Sequence, residues 1–424
     1  MKKNILVFPC GSEIALEIHR SLKNSAYFNL IGGSSVNDHG RFVFENYIGG
    51  IPFITDSCFI PAIKKIVENN KIDAIYAAMD AVIAELKKHE IDIGCKIVCS
   101  DLETAELCLS KSKTYERLKE IIKVPKLYHD TQVKEFPVFG KPDVGYGSRG
   151  VKKIENHEML KEYINNNQNV LLCEYLSGEE YTVDCFTDRK GALLFYAPRV
   201  RKRIMNGISV NTVPYTGQNN EFEQIITKLN HEIKFRGAWF AQLKRNEHNE
   251  LVLLEIAARF GGSSSLFRAK GINFAQLTLF DFFDYDVSII ENEYTVELDR
   301  ALDNVYKIDI QYYEVFCDLD DCLILDEKNV NIELISFLYQ CLNENKRLTL
   351  LTYKNDVKDT LKFFRLDSIF DRIIYIDTKK DIQIDRIDNI QSIYISDSFE
   401  KRKKVQKEIK IPVFALDNIP MLLT

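Results

Sequence analysis

Lys141 stands at the end of an apolar run, Pro137-Val138-Phe139-Gly140, and the glycine-spaced stretch Gly145-Tyr146-Gly147-Ser148-Arg149-Gly150 follows at once. Glycines turn backbone N–H groups toward an oxyanion without steric cost, and the lysine adds a mobile positive charge. That pairing suits a polyphosphate, although an ordinary hairpin turn carries the same glycines. The spacing is neither the strand–GxxxxGK[ST]–helix loop nor the dinucleotide fingerprint, because here the lysine precedes the glycines.

A magnesium nucleotide also needs oxygen ligands for the metal, further cations for the phosphates and an apolar slot for the base. Gln242 and Glu255 are oxygen donors on two strands, read over Gly237–Lys244 and Leu251–Ala257, at comparable heights. Lys113 and Arg259 add cations. Glu174-Tyr175-Leu176 ends an apolar strand and suits an adenine edge, and Glu180 is placed to accept from ribose hydroxyls. Arg199 and Arg201 fall on one face of a strand; they either grip a substrate carboxylate or acyl phosphate, or form a solvated basic edge. Arg259-Phe260-Gly261-Gly262-Ser263-Ser264 reads as the opening of a helix whose N-terminus would accept phosphate.

A second cluster lies near the C-terminus. Val315-Phe316-Cys317 runs into Asp318, Asp320 and Asp321, and three adjacent acids call for a bound cation. Two further apolar strands, Leu348–Leu351 and Ser392–Ile395, end in Thr352 and in Ser396-Asp397-Ser398. Parallel pairing would bring Asp318, Thr352 and Asp397 to one carboxyl edge.

Strands and helices must position these groups. Ile5–Phe8, Phe28–Ile31, Ala74–Ala78 and Lys96–Cys99 alternate with helices, which indicates an open parallel α/β sheet with ligands at its carboxyl ends. The Pro9–Ser12 turn and Asp80 lie there, as ligand contacts or as plain turn residues. A helical pattern spans Leu102–Lys123. The centre of the chain mixes strands and helices without strict alternation and reads as α+β, and the last part returns to α/β. The expected domains are 1–105, 106–305 with a lid over about 125–190, and 312–424.

The chain has 424 residues, of which 46% are hydrophobic and 28% charged, and a formal charge of −6. That argues against a nucleic-acid surface. Lys401-Arg402-Lys403-Lys404 reads as a solvated helix face. The ten cysteines lack the CxxC pairs of a zinc site and read as small core residues of a protein in a reducing compartment. No signal peptide or membrane span is evident, so a cytoplasmic protein is expected.

Residues from about 105 to 300 resemble the ATP-grasp superfamily. The elements that carry the resemblance are Lys113, Pro137–Pro142 with the glycine loop, Glu174–Asp184, Gln242 and Leu254-Glu255-Ile256-Ala257-Ala258-Arg259. It implies ATP and magnesium as cofactors. Lys113, Lys141, Gly145, Gly147, Ser148 and Gly150 would hold phosphates, Glu174 to Leu176 adenine, Glu180 the ribose, and Gln242 with Glu255 the magnesium. Arg259 would stabilise the transferred phosphoryl group. Similar enzymes join a carboxylate to an amine through an acyl phosphate, and related ligases often pair as homodimers. This sequence departs from the usual acidic–x–Asn pair, because Ala257 occupies the asparagine position and cannot coordinate metal. A nucleotide-binding regulatory protein and a small-molecule kinase are the alternatives.

Residues 312–424 resemble the haloacid dehalogenase superfamily through Asp318-Leu319-Asp320. The resemblance implies a Rossmann-like fold without a large cap and a magnesium-dependent phosphohydrolase. Asp318 would be the nucleophile, Asp320 the general acid/base and Thr352 a phosphoryl ligand. Lys379 or Lys380 would balance charge, and Asp397, with Asp318 and Asp320, would hold the metal.

Overall fold

The computed structural model describes residues 2–129, 133–145, 147, 149–302, 306, 308–378 and 391–423. Ser148 and Lys379, both expected at sites, lie outside these residues. The chain divides into two compact units, Met1–Leu302 and Asp303–Thr424.

The first unit opens with a five-stranded sheet in the order Asn46–Ile48, Phe28–Gly33, Lys3–Phe8, Ala74–Ala77, Lys96–Ile97. All its pairs are parallel. The central strand is apolar on both faces: Ile5 and Val7 enter one core, Leu6 and Phe8 another. Such double burial is what a parallel sheet covered by helices requires. The core around Ile5 and Val7 continues through Phe260, Leu266, Phe267, Phe274, Leu279 and Phe282. Six such side chains, at about 1.5–3 kcal/mol each when buried, bind the opening sheet to the downstream chain. Residues 1–105, expected as a separate domain, therefore share one unit with residues up to 302.

An antiparallel sheet of six strands carries the centre, in the order Leu251–Ala257, Gly237–Arg245, Glu180–Thr187, Leu193–Met205, Ile208–Pro214, Leu298–Asp299. Alternation sorts its two faces. Tyr181, Val183, Cys185, Trp239, Ala241, Leu243 and Ile256 bury into one core. The opposite face takes Glu180, Thr182 and Asp184 together with their cross-strand partners. The registers Arg199↔Thr182, Thr182↔Gln242 and Gln242↔Glu255 align these four side chains in one row. A smaller antiparallel sheet pairs Leu127–Tyr128, Val170–Glu174, Val138–Pro142 and Lys152–Ile154. In it, Val138–Pro142 and Lys152–Ile154 form the hairpin that carries the glycine loop.

The helical pattern expected over Leu102–Lys123 is broken into Leu102–Leu109 and Lys111–Leu118. Ser110 between them is extended, and its hydroxyl caps the second helix by accepting from the Lys113 N–H at 3.3 Å. Asp143 holds the break open: it accepts from Ser110 Oγ at 2.8 Å and from the Ser112 N–H at 2.6 Å. The stretch Arg259–Ser264 does precede a helix, as expected, but not one suited to hold phosphate. It leads only into the five-residue helix Ser265–Ala269, too short to offer an aligned anion-binding dipole.

The second unit is a five-stranded parallel sheet in the order Arg372–Tyr375, Arg347–Thr352, Glu314–Asp318, Ser392–Ile395, Val413–Phe414. Glu314–Asp318 is its middle strand, with Val315 and Cys317 in one core and Phe316 in another.

Candidate active sites

In the first unit, the small sheet and the six-stranded sheet enclose a narrow slot of about 170 Å³. Lys141 and Glu255 both line it. Its apolar walls are Phe139, Tyr175, Leu176 and Leu254, and its polar groups include Glu174, Glu180, Gln242 and Lys244. Gly145 and Gly147 border the slot. Gly147 has φ +62°, a left-handed conformation that glycine adopts freely. Gly150 does not line the slot; its carbonyl accepts from Tyr163 Oη at 2.7 Å and ties the loop to the helix His157–Asn166.

Lys141 is 5% exposed and donates to Tyr115 Oη at 2.5 Å, while Tyr115 donates to the Leu254 carbonyl at 2.5 Å. Burial lowers the Lys141 pKa, and Lys111 adds to that shift against the pull of Cys173, Glu255 and Glu180. An anion in the slot would relieve this penalty, because the ammonium lacks a full counter-charge there.

Lys113, expected at the phosphates, is exposed and lines no cavity described here. Lys111 takes the place instead: it lines the slot, lies 4.0 Å from Glu255 and donates to the carbonyls of Asp143 and Gly145 at 3.4 Å each. The break at Ser110 is the cause, since it resets the helical phase and points position 111 inward. A Ser-x-Ser cap signal at 110–112 was the available clue.

Gln242 and Glu255 stand directly opposite each other, as the strand reading expected. With its amide oriented to suit both neighbours, Gln242 donates to Glu255 Oε1 at 3.2 Å and accepts from Arg201 Nη1 at 3.3 Å. In this orientation the Gln242 oxygen faces Arg201, so Glu255 supplies the carboxylate for a divalent ion, and Gln242 would join it only with its amide turned. The next residue on that face, Ala257, is buried opposite Phe240 and contributes no donor. Among the described residues, no group of three or more His, Cys, Asp or Glu converges as a metal site by itself. A magnesium ion held there would supply positive charge against a polyphosphate.

Beside the slot and continuous with it lies a wider chamber of about 920 Å³. Arg199, Arg201, Arg259, Asp80 and Ser12 all line it. Arg201 pairs with Glu180 and donates to the Gly207 carbonyl at 2.8 Å, so Glu180, expected at a ribose, is held by an arginine. Arg259 donates to Asp80 Oδ2 at 2.6 Å and lies over the Phe240 ring. Burial works against the Arg259 charge, but Asp80 overrides it and holds its pKa above the usual guanidinium value. Arg199 is 3% exposed and bonds to Asp184, which excludes the solvated-edge alternative for it.

A family profile described as "ATP-grasp in the biosynthetic pathway with Ter operon" matches residues 166–303. The biotin carboxylase domain of Hydrogenobacter thermophilus 2-oxoglutarate carboxylase is 14% identical at a TM-score of 0.58, covering 69% of this chain and 72% of that one. The chain has an ATP-grasp fold. A second ATP-grasp likeness is to the L-amino acid ligase of Bacillus licheniformis, 16% identical at a TM-score of 0.55 over 66% of this chain and 73% of that one. The D-alanine–D-alanine ligase of Fusobacterium nucleatum subsp. nucleatum is 25% identical over 175 residues. That match takes in 39% of this chain and spans only 61% of the ligase's length. On this ATP-grasp framework, the glycine hairpin and Lys141 come from the small sheet, and Gln242 and Glu255 from the large one. No helix among the described residues is long and apolar enough to cross a membrane, and all ten thiols are free.

In the second unit, Asp318, Asp320, Thr352, Asp397 and Lys401 line one cavity at the carboxyl edge of the sheet. Asp318 is 3% exposed and accepts from Tyr394 Oη at 3.0 Å, Ser396 Oγ at 2.8 Å and Lys401 Nζ at 2.9 Å. Burial pushes its carboxyl pKa up, and Lys401 opposes that shift. Asp320 lies 3.3 Å from Lys354 and accepts from Thr352 Oγ1 at 3.4 Å. Two lysines thus answer the acid cluster, where a bound cation was expected, and the acids do not converge on a metal position. Lys401 also corrects the reading of its basic run as a solvated face: it is 6% exposed, whereas Lys403 and Lys404 face solvent. Lys401 shares a buried helix face with Val405, four residues on, and that apolar partner was the signal that the charge run concealed.

Proposed function

We propose that the first unit is an ATP-dependent carboxylate–amine ligase that works through an acyl phosphate. The observation that carries this reading is that Lys141 and Glu255, contributed by different sheets, face one slot bordered by the glycine loop. The triphosphate would lie between Lys141, Lys111 and that loop, with magnesium held by Glu255 and Gln242. Arg259 borders the adjoining chamber, where the carboxylate would accept the γ-phosphoryl group before an amine displaces phosphate. Positioning and charge neutralisation would supply most of the rate. Two likenesses, to an L-amino acid ligase and a D-alanine–D-alanine ligase, agree with this class of reaction. ADP formation from magnesium-ATP across a panel of acids, with hydroxylamine trapping the acyl phosphate as a hydroxamate, tests it. Hydroxamate formation lost in Glu255→Gln supports the ligase. ADP formation without hydroxamate, but with a stable phosphorylated product, selects the kinase. ATP binding without turnover selects the regulatory reading, for which Ala257 is the specific argument.

The second unit we read as a capless phosphohydrolase of the haloacid dehalogenase type. Asp318 at the end of the middle strand, with Asp320, Thr352 and Lys401 around the same cavity, supports it. Asp318 would attack phosphorus and expel the ester oxygen, which Asp320 would protonate; water would then hydrolyse the aspartyl phosphate to release phosphate, while Lys401 balances charge. Phosphate release from an aryl phosphate, lost in Asp318→Asn, is the expected result; equal release by wild type and variant would reject the assignment.

A further inference from the structure

The chamber beside the ATP slot contains an anion position that the ligase chemistry does not use. Arg199 bonds to Asp184 through Nε alone, at 2.6 Å to Oδ2. Its Nη1 and the second Asp184 oxygen, Oδ1, find no partner although both are buried. A buried guanidinium that serves only structure would close a two-point fork on its carboxylate. Arg199 instead turns its Nη edge toward the chamber wall at Gly261.

The wall comes close to the guanidinium there. A Cβ on Gly261 would stand 3.3 Å from Arg199 Nη2 and 3.9 Å from Asp184 Oδ1. A Cβ on Gly262 would stand 2.9 Å from the Glu13 carboxyl carbon and 3.2 Å from Arg300 Nη1. Neither glycine has a left-handed φ, so their backbone does not demand glycine, and the missing side chains make room for Arg199 and Glu13 at the chamber wall and for Arg300 beside them. Ser209 lines the same chamber, and its hydroxyl is also buried without a partner. The acids nearby are already engaged: Asp80 by Arg259 and Glu13 by Arg300 at 2.8 Å.

Arg199 is two strands removed from Gln242 along the same row, roughly 10 Å away at the usual strand spacing. A carboxylate beside Glu255 and Arg259 therefore leaves the Arg199 position to a different part of the substrate. We infer that the acid substrate carries a second oxyanion, a phosphate or a second carboxylate, received by Arg199 and Ser209 on the chamber wall beside Gly261. This inference rests on the ligase reading for the identity of the first carboxylate, but the anion position itself does not.

Calorimetric titration of the full chain with 4-phosphonobutyrate, glutarate and butyrate tests it, with and without the non-hydrolysable analogue AMP-PNP. At least one of the two dianions should bind about tenfold or more tightly than butyrate. Which one wins tells phosphate from carboxylate. Arg199→Gln should abolish the difference. Gly261→Ala, whose methyl would press the Arg199 guanidinium aside but keeps every charge, should reduce it severalfold while AMP-PNP affinity stays within about twofold. If Arg199→Gln fails to fold, Gly261→Ala decides alone. Equal binding of all three acids, or a dianion preference that survives both variants, overturns the inference. Absence of AMP-PNP binding would instead refute the ligase reading, and the titrations without nucleotide would still decide the anion position.

Discussion

Lys141 is tied to Tyr115, whose phenol accepts from its ammonium at 2.5 Å and donates onward to the Leu254 carbonyl. The lysine therefore has a defined resting position over the tyrosine ring, 4.9 Å from its centroid. Because burial lowers its pKa, the charge destabilises the free protein and is retained for what it binds. Lys141→Met should raise the melting temperature of the nucleotide-free protein. The same variant should lower ADP formation by on the order of 10²–10³, the usual loss when a charge-stabilising donor is removed. Scanning calorimetry and a coupled ADP assay check the two halves separately. Tyr115→Phe should be milder, with KM for ATP raised about tenfold by loss of one hydrogen-bond partner.

Lys111 and Lys113 provide an internal comparison on one helix. Lys111 borders the slot and reaches toward Glu255, while Lys113 is exposed. Lys111→Ala should weaken nucleotide binding by roughly 10- to 100-fold, as expected for a charge-assisted contact. Lys113→Ala should stay within about twofold. Fluorescence titration with a labelled ATP analogue measures both, and the reverse ranking would restore Lys113 to the site.

This pair shows where the sequence was legible. The order of strands, the hairpin around the glycine loop and the pairing of Gln242 with Glu255 follow from local patterns of alternation and turns. They depend on neighbours in sequence, so a linear reading finds them. The identity of the inward lysine depends on Asp143, thirty-three residues beyond Ser110, which bonds to that serine and breaks the helix. Likewise Arg201 binds Glu180, and Arg259 binds Asp80. Each link joins separate elements and is invisible until those elements are packed. The shared core between Val7 and Phe260 is of the same kind.

His19 offers a test of stability against pH. It packs edge-on against Phe44 with ring centroids 4.8 Å apart, and burial, helped by Lys23 and Arg20, lowers its pKa to about 4. The unfolded chain, with an ordinary histidine near 6.5, binds the proton more readily than the folded one. Stability is therefore whole above pH about 6.5 and declines as pH falls toward 4. In urea titrations of the full chain, the wild-type midpoint should drop across this window. His19→Phe should drop less over the same interval, and an identical slope in both proteins would show that the imidazole carries no such linkage.

The pairing of Lys401 with Asp318 makes the strongest stability prediction for the second unit. Both side chains are buried, and the carboxylate also accepts from Ser396 and Tyr394. Removing the lysine alone strands a buried acid, which usually costs about 3–5 kcal/mol, whereas replacing both charges together is often close to neutral. Lys401→Met should therefore lower the urea midpoint of this unit markedly, and Asp318→Asn with Lys401→Met should recover most of it. Asp318→Asn alone leaves the ammonium without its carboxylate and should fall between them. With the wild type, these three variants form a double-mutant cycle whose coupling term isolates the pair. A cycle that closes with additive losses would mean that Lys401 and Asp318 act independently, and would remove Lys401 from the proposed phosphoryl site as Asp318's charge partner.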